Sequence, residues 1–550
     1  MRAFVLPFVL IVVRLVVPSG TAGAQSGAVP AVPHTEQRAM GGERPTPVVA
    51  SFDGLGVGFV GPQGNSHQRN PSDNSLAVGP DHIVQTINTR VAIFTKAGAK
   101  YDSTGRVLYG PVPSNTMFKD FGGACEQNNN GDVVVRYDQL AERWLFVMPV
   151  FRRVAPRTTP PGPREAPLFV PPPAAPTAPP APPAPNAPRA PRPPELGPTE
   201  GAYAMCYAVS ATSDPMGRWY RYEFTRPLFP DYPRPAVWPD GWYTPTSTGD
   251  DVIEKHVCVV DRRMMLLGAD ATEQCIIVPG VNFLNTADLD GRAVPPVGSP
   301  NIVLAAGGTQ LKGDTTASEL LSWNMHVDWA DPSRTRLVGP TRIAVAPYAY
   351  LCGGQLTRCV PQPGSDMRLD SQGDKLMARL VYRRFSTHEA LVAVHSVATA
   401  AGSGGIRWYE LRVRDGRALE LLQQGTFAPD RAYRWMGSSA IDRFGNIGIG
   451  YSYGSATAFP GQRFAGRTHE AARGELNIAE TVLVEGGAAQ ESTLRWEDYT
   501  QTAIDPVDDC TIWYVGDYLK RGETAYSTRI GAFRLPGCTG ASARPVRRAP

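Results

Sequence analysis

This 550-residue chain is short of the patterns that announce a reaction. Its eight cysteines include no C-x-x-C and match no zinc spacing, which excludes zinc ribbons and thioredoxin-like redox pairs. The eight histidines form no H-x-x-x-H or H-E-x-x-H, and G-x-S-x-G is absent. Metalloprotease and α/β-hydrolase chemistry therefore have no carrier. Charge of one sign is missing too. The 54 basic and 51 acidic groups leave +3, and the arginines are scattered, so nothing marks a nucleic-acid partner. Beyond the N-terminal segment no apolar run reaches the ~18 residues of a spanning helix, so no membrane insertion is expected. Helical periodicity with caps is lacking as well.

What is present points outside the cell. Arg2, an apolar stretch from Ala3 to Val17 and the A-x-A pattern Ala22-Gly23-Ala24 read as a signal peptide over residues 1–24. Gln25 would begin the mature chain, in an extracellular or periplasmic location. Arg14 and the shortness of the stretch argue against a membrane anchor. An even cysteine count in an exported chain predicts disulfides. Spacing alone leaves the connectivity open. Cys352–Cys359 would close the loop around Gly353-Gly354, and Cys258–Cys275, Cys510–Cys538 and Cys125–Cys206 are the favoured remaining pairs.

The rest of the chain is short strands with turn punctuation, such as HIVQTIN, RWLFVM, YAMCYAVSAT and GIRWYELRV. Ile441 to Ile447 reads as a hairpin turning on Asp442, Gly445 and Asn446. Strand pairs recur every ~40–60 residues, each with an aromatic cluster, as expected for blades of a β-propeller. Trp144, Trp219, Trp238, Trp242, Trp323, Trp408, Trp435 and Trp513 mark the recurrence. The expected fold is an all-β propeller of seven or eight blades over residues 51–538, with a sandwich or double jelly roll as the runner-up. Residues 25–50 are expected to be flexible and 539–550 a disordered tail. Residues 154–198 form a proline-rich insertion; 19 of the 53 prolines lie between Pro156 and Pro198. Repeated proline favours extended polyproline II and is expected to join no sheet. Closure of the ring is expected between Thr511–Phe533 and the first strands, around Ser75–Phe94.

The segment RWEDYTQTAIDPVDDCTIWYVGDYLKRGETAYSTRIGAFRLPGC, Arg495 to Cys538, resembles the closing segment of a family of large secreted bacterial proteins of unassigned activity, themselves predicted propellers. SDNSLAVGPDHIVQTIN (Ser72–Asn88), CEQNNNGDVVVRYDQLAERWLF (Cys125–Phe146) and FPDYPRPAVWPDGWY (Phe229–Tyr243) carry the same likeness, and the proline-rich insertion departs from it. The resemblance implies export and an all-β scaffold. It implies no reaction and transfers no catalytic residue.

Candidate site residues fall into three groups. Asp231, Tyr232 and Asp240 in proline-fixed loops, with Asp498 and Tyr499, supply the carboxylates and tyrosines that a sialidase-like glycoside hydrolase would need. Arg434-Trp435 and Arg495-Trp496 pair a cation with an aromatic platform and suit glycan binding. Asn128, Asn130 and Asp132 offer hard oxygen ligands for Ca²⁺, without an EF-hand's spacing. Each group also has an ordinary reading as turn chemistry or packing. The leading expectation is a secreted, monomeric, non-catalytic protein that binds an extracellular glycan or protein ligand. A glycoside hydrolase is the alternative.

Overall fold

The structure, a computed structural model, describes residues 32–66, 70–154, 161–172, 202–247 and 254–539. The expected signal peptide, much of the proline-rich segment and the tail from 540 lie outside these residues. The chain is all-β. Its short β-branched and aromatic runs pair with their neighbours in sequence, because tight turns leave little else within reach.

Among the described residues, seven antiparallel meanders of four strands follow one another. The first holds Ser75–Val78, His82–Ile87, Arg90–Thr95 and Val107–Pro113; the second holds Val134–Asp138, Arg143–Val154, Ala202–Ser210 and Arg218–Arg226. The third runs from Ala236–Val237 to Glu273–Pro279 and the fourth from Asn285–Leu289 to Arg336–Ala349. The fifth spans Leu380–Arg384 to Leu419–Phe427, and the sixth Tyr433–Ile441 to Ile478–Val484. The seventh comprises Gln501–Ile504, Thr511–Tyr518, Ser527–Arg534 and, from the other end of the chain, Val48–Gly56. Parallel pairing of Ala287 with Leu380 and of Leu289 with Tyr382 fuses the fourth and fifth meanders into one curled nine-stranded sheet, which His34–Gln37 completes at its edge.

The first strands of the seven sheets pack in sequence order, and Gln501–Ile504 returns to lie beside Ser75–Val78. The apolar core lies between successive sheets. Ala77, Val84 and Ile93 of the first meet Trp144, Phe146 and Met148 of the second. Leu145 and Tyr207 of the second meet Val237, Trp242 and Val260 of the third. Trp408 and Val392 of the fifth meet Ile447 and Ile449 of the sixth. Trp513 and Val515 of the seventh meet Leu76, Val78 and Phe94 of the first. The recurrent tryptophans thus fill inter-sheet space, and their neighbours make room for them. At Gly79 an added Cβ would stand 2.5 Å from the Trp144 ring.

Where the first strands meet, the packing is ionic. Arg379 donates to Asp288 at 2.5 Å and to Asp290 at 2.5 Å, all three side chains being buried. Asp288 also accepts from the backbone of Val237 at 2.8 Å, and Asp290 from that of Ile441 at 3.2 Å.

All eight cysteines are paired, as Cys125–Cys206, Cys258–Cys275, Cys352–Cys359 and Cys510–Cys538. Cys125–Cys206 joins the two sides of the proline-rich segment. The hairpin at Ile441–Ile447 is present, with Asp442 accepting from the backbone of Phe444 and Asn446. Among the described residues no helix is long and apolar enough to cross a membrane.

Three expectations need correction. Residues 32–50 are not simply flexible: His34–Gln37 pairs with Leu419–Phe427 and Glu43 bridges to Ile478 before Val48–Gly56 begins. Part of the proline-rich segment does join a sheet. Glu165–Pro167 pairs with Arg218–Arg226, and Leu168 is buried. An edge strand bonds on one side only, so Pro167 forfeits no ladder bond there. Finally, the hydrogen-bonded partner of Ser527–Arg534 is Val48–Gly56, and the strands from Ser75 onward make side contact only. A chain ending at Ile504 should therefore be insoluble, because Val48–Gly56 loses its partner and the seventh-to-first core is opened. A chain ending at Thr539 should melt as the whole chain does. Thermal melting of both truncations checks this.

Candidate functional site

The backbone turns sharply where it enters a first strand, and acidic residues occupy these turns. Asp73 precedes Ser75, Asp132 precedes Val134, Asp231 precedes Ala236 and Asp498 precedes Gln501. Asp73, Asp132, Tyr232 and Asp498 take φ values of 49°, 53°, 56° and 64°. Glycine adopts this left-handed region without penalty, whereas other residues hold it only where the surroundings enforce it.

The turns converge on a cavity of about 360 Å³. Asp132, Asp231, Asp498 and Arg495 line it together with the amides Asn70, Asn88, Asn130 and Gln355 and the rings of Phe151, Phe229, Tyr232 and Phe283. Phe151 and Phe229 are half-buried, 5.0 Å apart between ring centroids. Asn130 fixes this aromatic wall by accepting from the Phe151 backbone at 3.1 Å.

The carboxylates are closely spaced. The Tyr232 N–H donates both to Asp231 Oδ1 at 3.0 Å and to Asp132 Oδ2 at 3.2 Å, and the Tyr499 hydroxyl donates to Asp132 Oδ2 at 2.7 Å. The Tyr232 and Tyr499 rings lie 4.2 Å apart, and the Tyr232 hydroxyl donates to the Asp498 carbonyl. Asp498 pairs with Arg495 and accepts from Gln372 at 2.9 Å. Lys375 rests 4.3 Å from the Phe283 ring and pairs with Asp374 at 2.8 Å. Burial pushes the Asp231 carboxyl well above the usual range, and the charges of Asp132 and Asp498 push it further. The Asp73 carboxyl is raised in the same way, by burial first and then by Asp132 and Asp498. Burial also raises Asp498 against the pull of Arg495. Such a site favours bound protons or positive charge over free carboxylates.

Of the candidates read from sequence, Asp231, Tyr232, Asp498, Tyr499, Arg495, Asn130 and Asp132 come together here. The others do not. Asn128 donates its amide to the Ala124 carbonyl at 2.9 Å, at the end of the one-turn helix Gly123–Gln127. Arg434 and Trp435 form no open platform: both are fully buried, and Arg434 is held by Glu480 at 2.6 Å and by Asp430 at 2.8 Å. Trp496 is buried too, donating to Ser452 at 2.9 Å. An Arg-Trp pair inside a strand packs inward as readily as outward, which spacing alone cannot distinguish. Asp73, Asn88 and the Phe151–Phe229 wall were missed. The available signal was the recurrence of aspartate just ahead of short apolar strands.

Asp240 belongs to a turn of the third sheet. It accepts from the Tyr243 hydroxyl at 3.1 Å, and its carbonyl accepts from the Trp329 indole at 2.9 Å. Burial raises its carboxyl from 3.8 to about 6 despite the Tyr243 bond. Within that window the folded chain keeps a proton that the unfolded chain has released, so this group's contribution to stability falls as pH rises. Asp240→Asn removes the ionisation and keeps an acceptor for Tyr243. The variant should gain on the natural chain as pH rises through that window, by up to ~2 kcal/mol at neutral pH. Urea unfolding of both chains across the window measures the difference.

No family model matches the chain, and no curated protein matches it. Among solved structures it is similar to a protein of unknown function from Dyadobacter fermentans DSM 18053, at 9% identity and a TM-score of 0.21, over 56% of this chain and 95% of that one.

Proposed function

We propose that this chain is an exported seven-bladed β-propeller that binds a glycan in the cavity at the entry ends of its first strands. Three observations support the propeller. Seven four-stranded meanders succeed one another, their first strands pack in cyclic order, and both chain ends build the seventh sheet. Four disulfides are in keeping with export.

The observation that carries the glycan reading is the composition of the cavity wall. Half-buried Phe151 and Phe229 offer an apolar face of the size of a sugar ring. Opposite them Asp132, Asp231, Asp498, Asn88 and Arg495 offer acceptors and donors for hydroxyl groups. A volume of about 360 Å³ accommodates one or two sugar units. A folded protein partner would need a broad surface, ~800 Å² on each side, in place of a pit.

A glycoside hydrolase is the second reading, and one feature favours it. Asp132 and Asp231 share the Tyr232 N–H, which sets two carboxyl groups side by side in the cavity, with burial and the Asp132 charge raising the Asp231 carboxyl in the direction an acid needs. A glycan array separates the two. Under the binding reading the natural chain retains a glycan and releases no new reducing ends, and Phe229→Ala or Arg495→Ala weakens retention ~10-fold, the equivalent of 1.4 kcal/mol. Release of reducing ends that Asp231→Asn abolishes establishes the hydrolase instead. A chain that retains no glycan overturns both.

A further inference from the structure

Two side chains beside the cavity have no partner that accounts for them. Neither carboxylate oxygen of Asp73 accepts a hydrogen bond from an N–H or hydroxyl group, although the residue is only 1% exposed. The Asn88 Oδ1, on a residue 5% exposed, is likewise without a donor. Burying such groups unpaired is costly, most of all a carboxylate.

Both sit against Asp132. The Asn88 N–H donates to the Ser72 carbonyl at 2.5 Å, tying Asn88 to the Asp73 turn. A Cβ added to Gly131 would stand 2.3 Å from Asn88 Oδ1, so the amide oxygen lies over the turn that presents Asp132. The Asp73 and Asp132 side chains lie within hydrogen-bonding reach of each other. No lysine or arginine forms an ion pair with either among the described residues, and Arg495 is engaged by Asp498. The Asp73 carboxylate and the Asn88 amide oxygen, hard ligands without an N–H or hydroxyl donor, stand beside Asp132, whose Oδ2 accepts from Tyr232 and Tyr499, and such an all-oxygen set is what calcium selects.

We propose that Asp73, Asn88 and Asp132 hold a calcium ion, which locks the entry turns of the first and second sheets together. The inference is independent of what occupies the cavity. It replaces the contiguous run Asn128–Asp132 with ligands from three separate turns, of which only Asp132 is common to both.

The test uses the full chain, stripped with a chelator, desalted, and titrated with CaCl₂ at neutral pH by calorimetry and by thermal melting. One equivalent of calcium should bind and the melting temperature should rise by several degrees. Magnesium should bind more weakly, since it demands a regular octahedron that two fixed turns do not supply. Asn88→Ala should weaken calcium binding ~10-fold and Asn88→Asp should retain it, while Asp73→Asn should abolish it. The natural chain decides the matter even if a variant fails to fold. If neither heat nor a melting shift appears up to ~5 mM calcium, above the range of weak extracellular modules, the proposal is overturned. The two aspartates then share a proton instead.

Discussion

Arg379 and its two carboxylates tie together six of the seven meanders, the second to the seventh. Asp288 and Asp290 belong to the fourth sheet and its turn, and each spends its second oxygen on another sheet: Asp288 on Val237 of the third, Asp290 on Ile441 of the sixth. Arg379 reaches towards the Thr502 carbonyl of the seventh at 3.4 Å, and Arg136 of the second comes within 3.4 Å of Asp288. Burial works against the Arg379 charge, but Asp288 and Asp290 outweigh it and hold its pKa above the ordinary value. Apolar side chains at this point would pack equally well in several rotational settings of one sheet against the next. A guanidinium between two carboxylates accepts one setting, because removing either partner strands a buried charge at a cost of ~3–5 kcal/mol.

That constraint explains why closure of the seventh sheet matters. The first and seventh meanders each carry an apolar face that an open row would leave bare, and the two cover each other. Trp513, Val515 and Ile530 are covered only because Leu76, Val78 and Phe94 return to them. The N-terminal segment then fastens the outside. From His34 to Gly56 it adds to the fifth sheet, bridges to the sixth and completes the seventh. The ionic centre sets the register and the strap holds the rim. Neither is a local property of any one meander.

Much of this was legible in the residues. The all-β class, the strand runs and the recurrent tryptophans were readable because large side chains between sheets recur at each unit, and Trp144, Trp242, Trp408 and Trp513 do pack there. The Cys258–Cys275 pair was readable from the two neighbouring strands that carry it, and Cys352–Cys359 from the short loop it closes. Two strands were not. Val48–Gly56 bonds to residues more than 400 positions away, as Leu55 does to Thr528, and nothing local encodes such a partner. Glu165–Pro167 was hidden by its prolines, whose average conformation says nothing about one edge position beside Trp219. In the candidate site, Asp231, Asp498 and Tyr499 were visible as chemistry-bearing residues. Asp73 and Asn88 were not, because an aspartate before a strand is ordinary turn chemistry until several converge in space.

Their convergence also bears on why aspartate stands there at all. The entry turns need a left-handed residue, and glycine would fill that role with less strain; the chain uses it freely elsewhere, as at Gly131 and Gly445. At Asp73, Asp132 and Asp498 it instead accepts backbone strain, burial of a carboxyl and repulsion from neighbouring acids. Turn geometry alone gains nothing from three such acids at one end of the first strands. Among the first strands themselves the alternative appears: Asp288 and Asp290 are matched by Arg379 and bonded to backbone N–H groups, a balanced arrangement that serves cohesion. Among the described residues the entry turns leave the Asp73 carboxylate oxygens without a donor, and half-buried rings line a cavity beside them. Stability is concentrated around Arg379 and surrendered at the entry turns, and unbalanced charge beside a half-buried aromatic wall is what the proposed binding reading calls for.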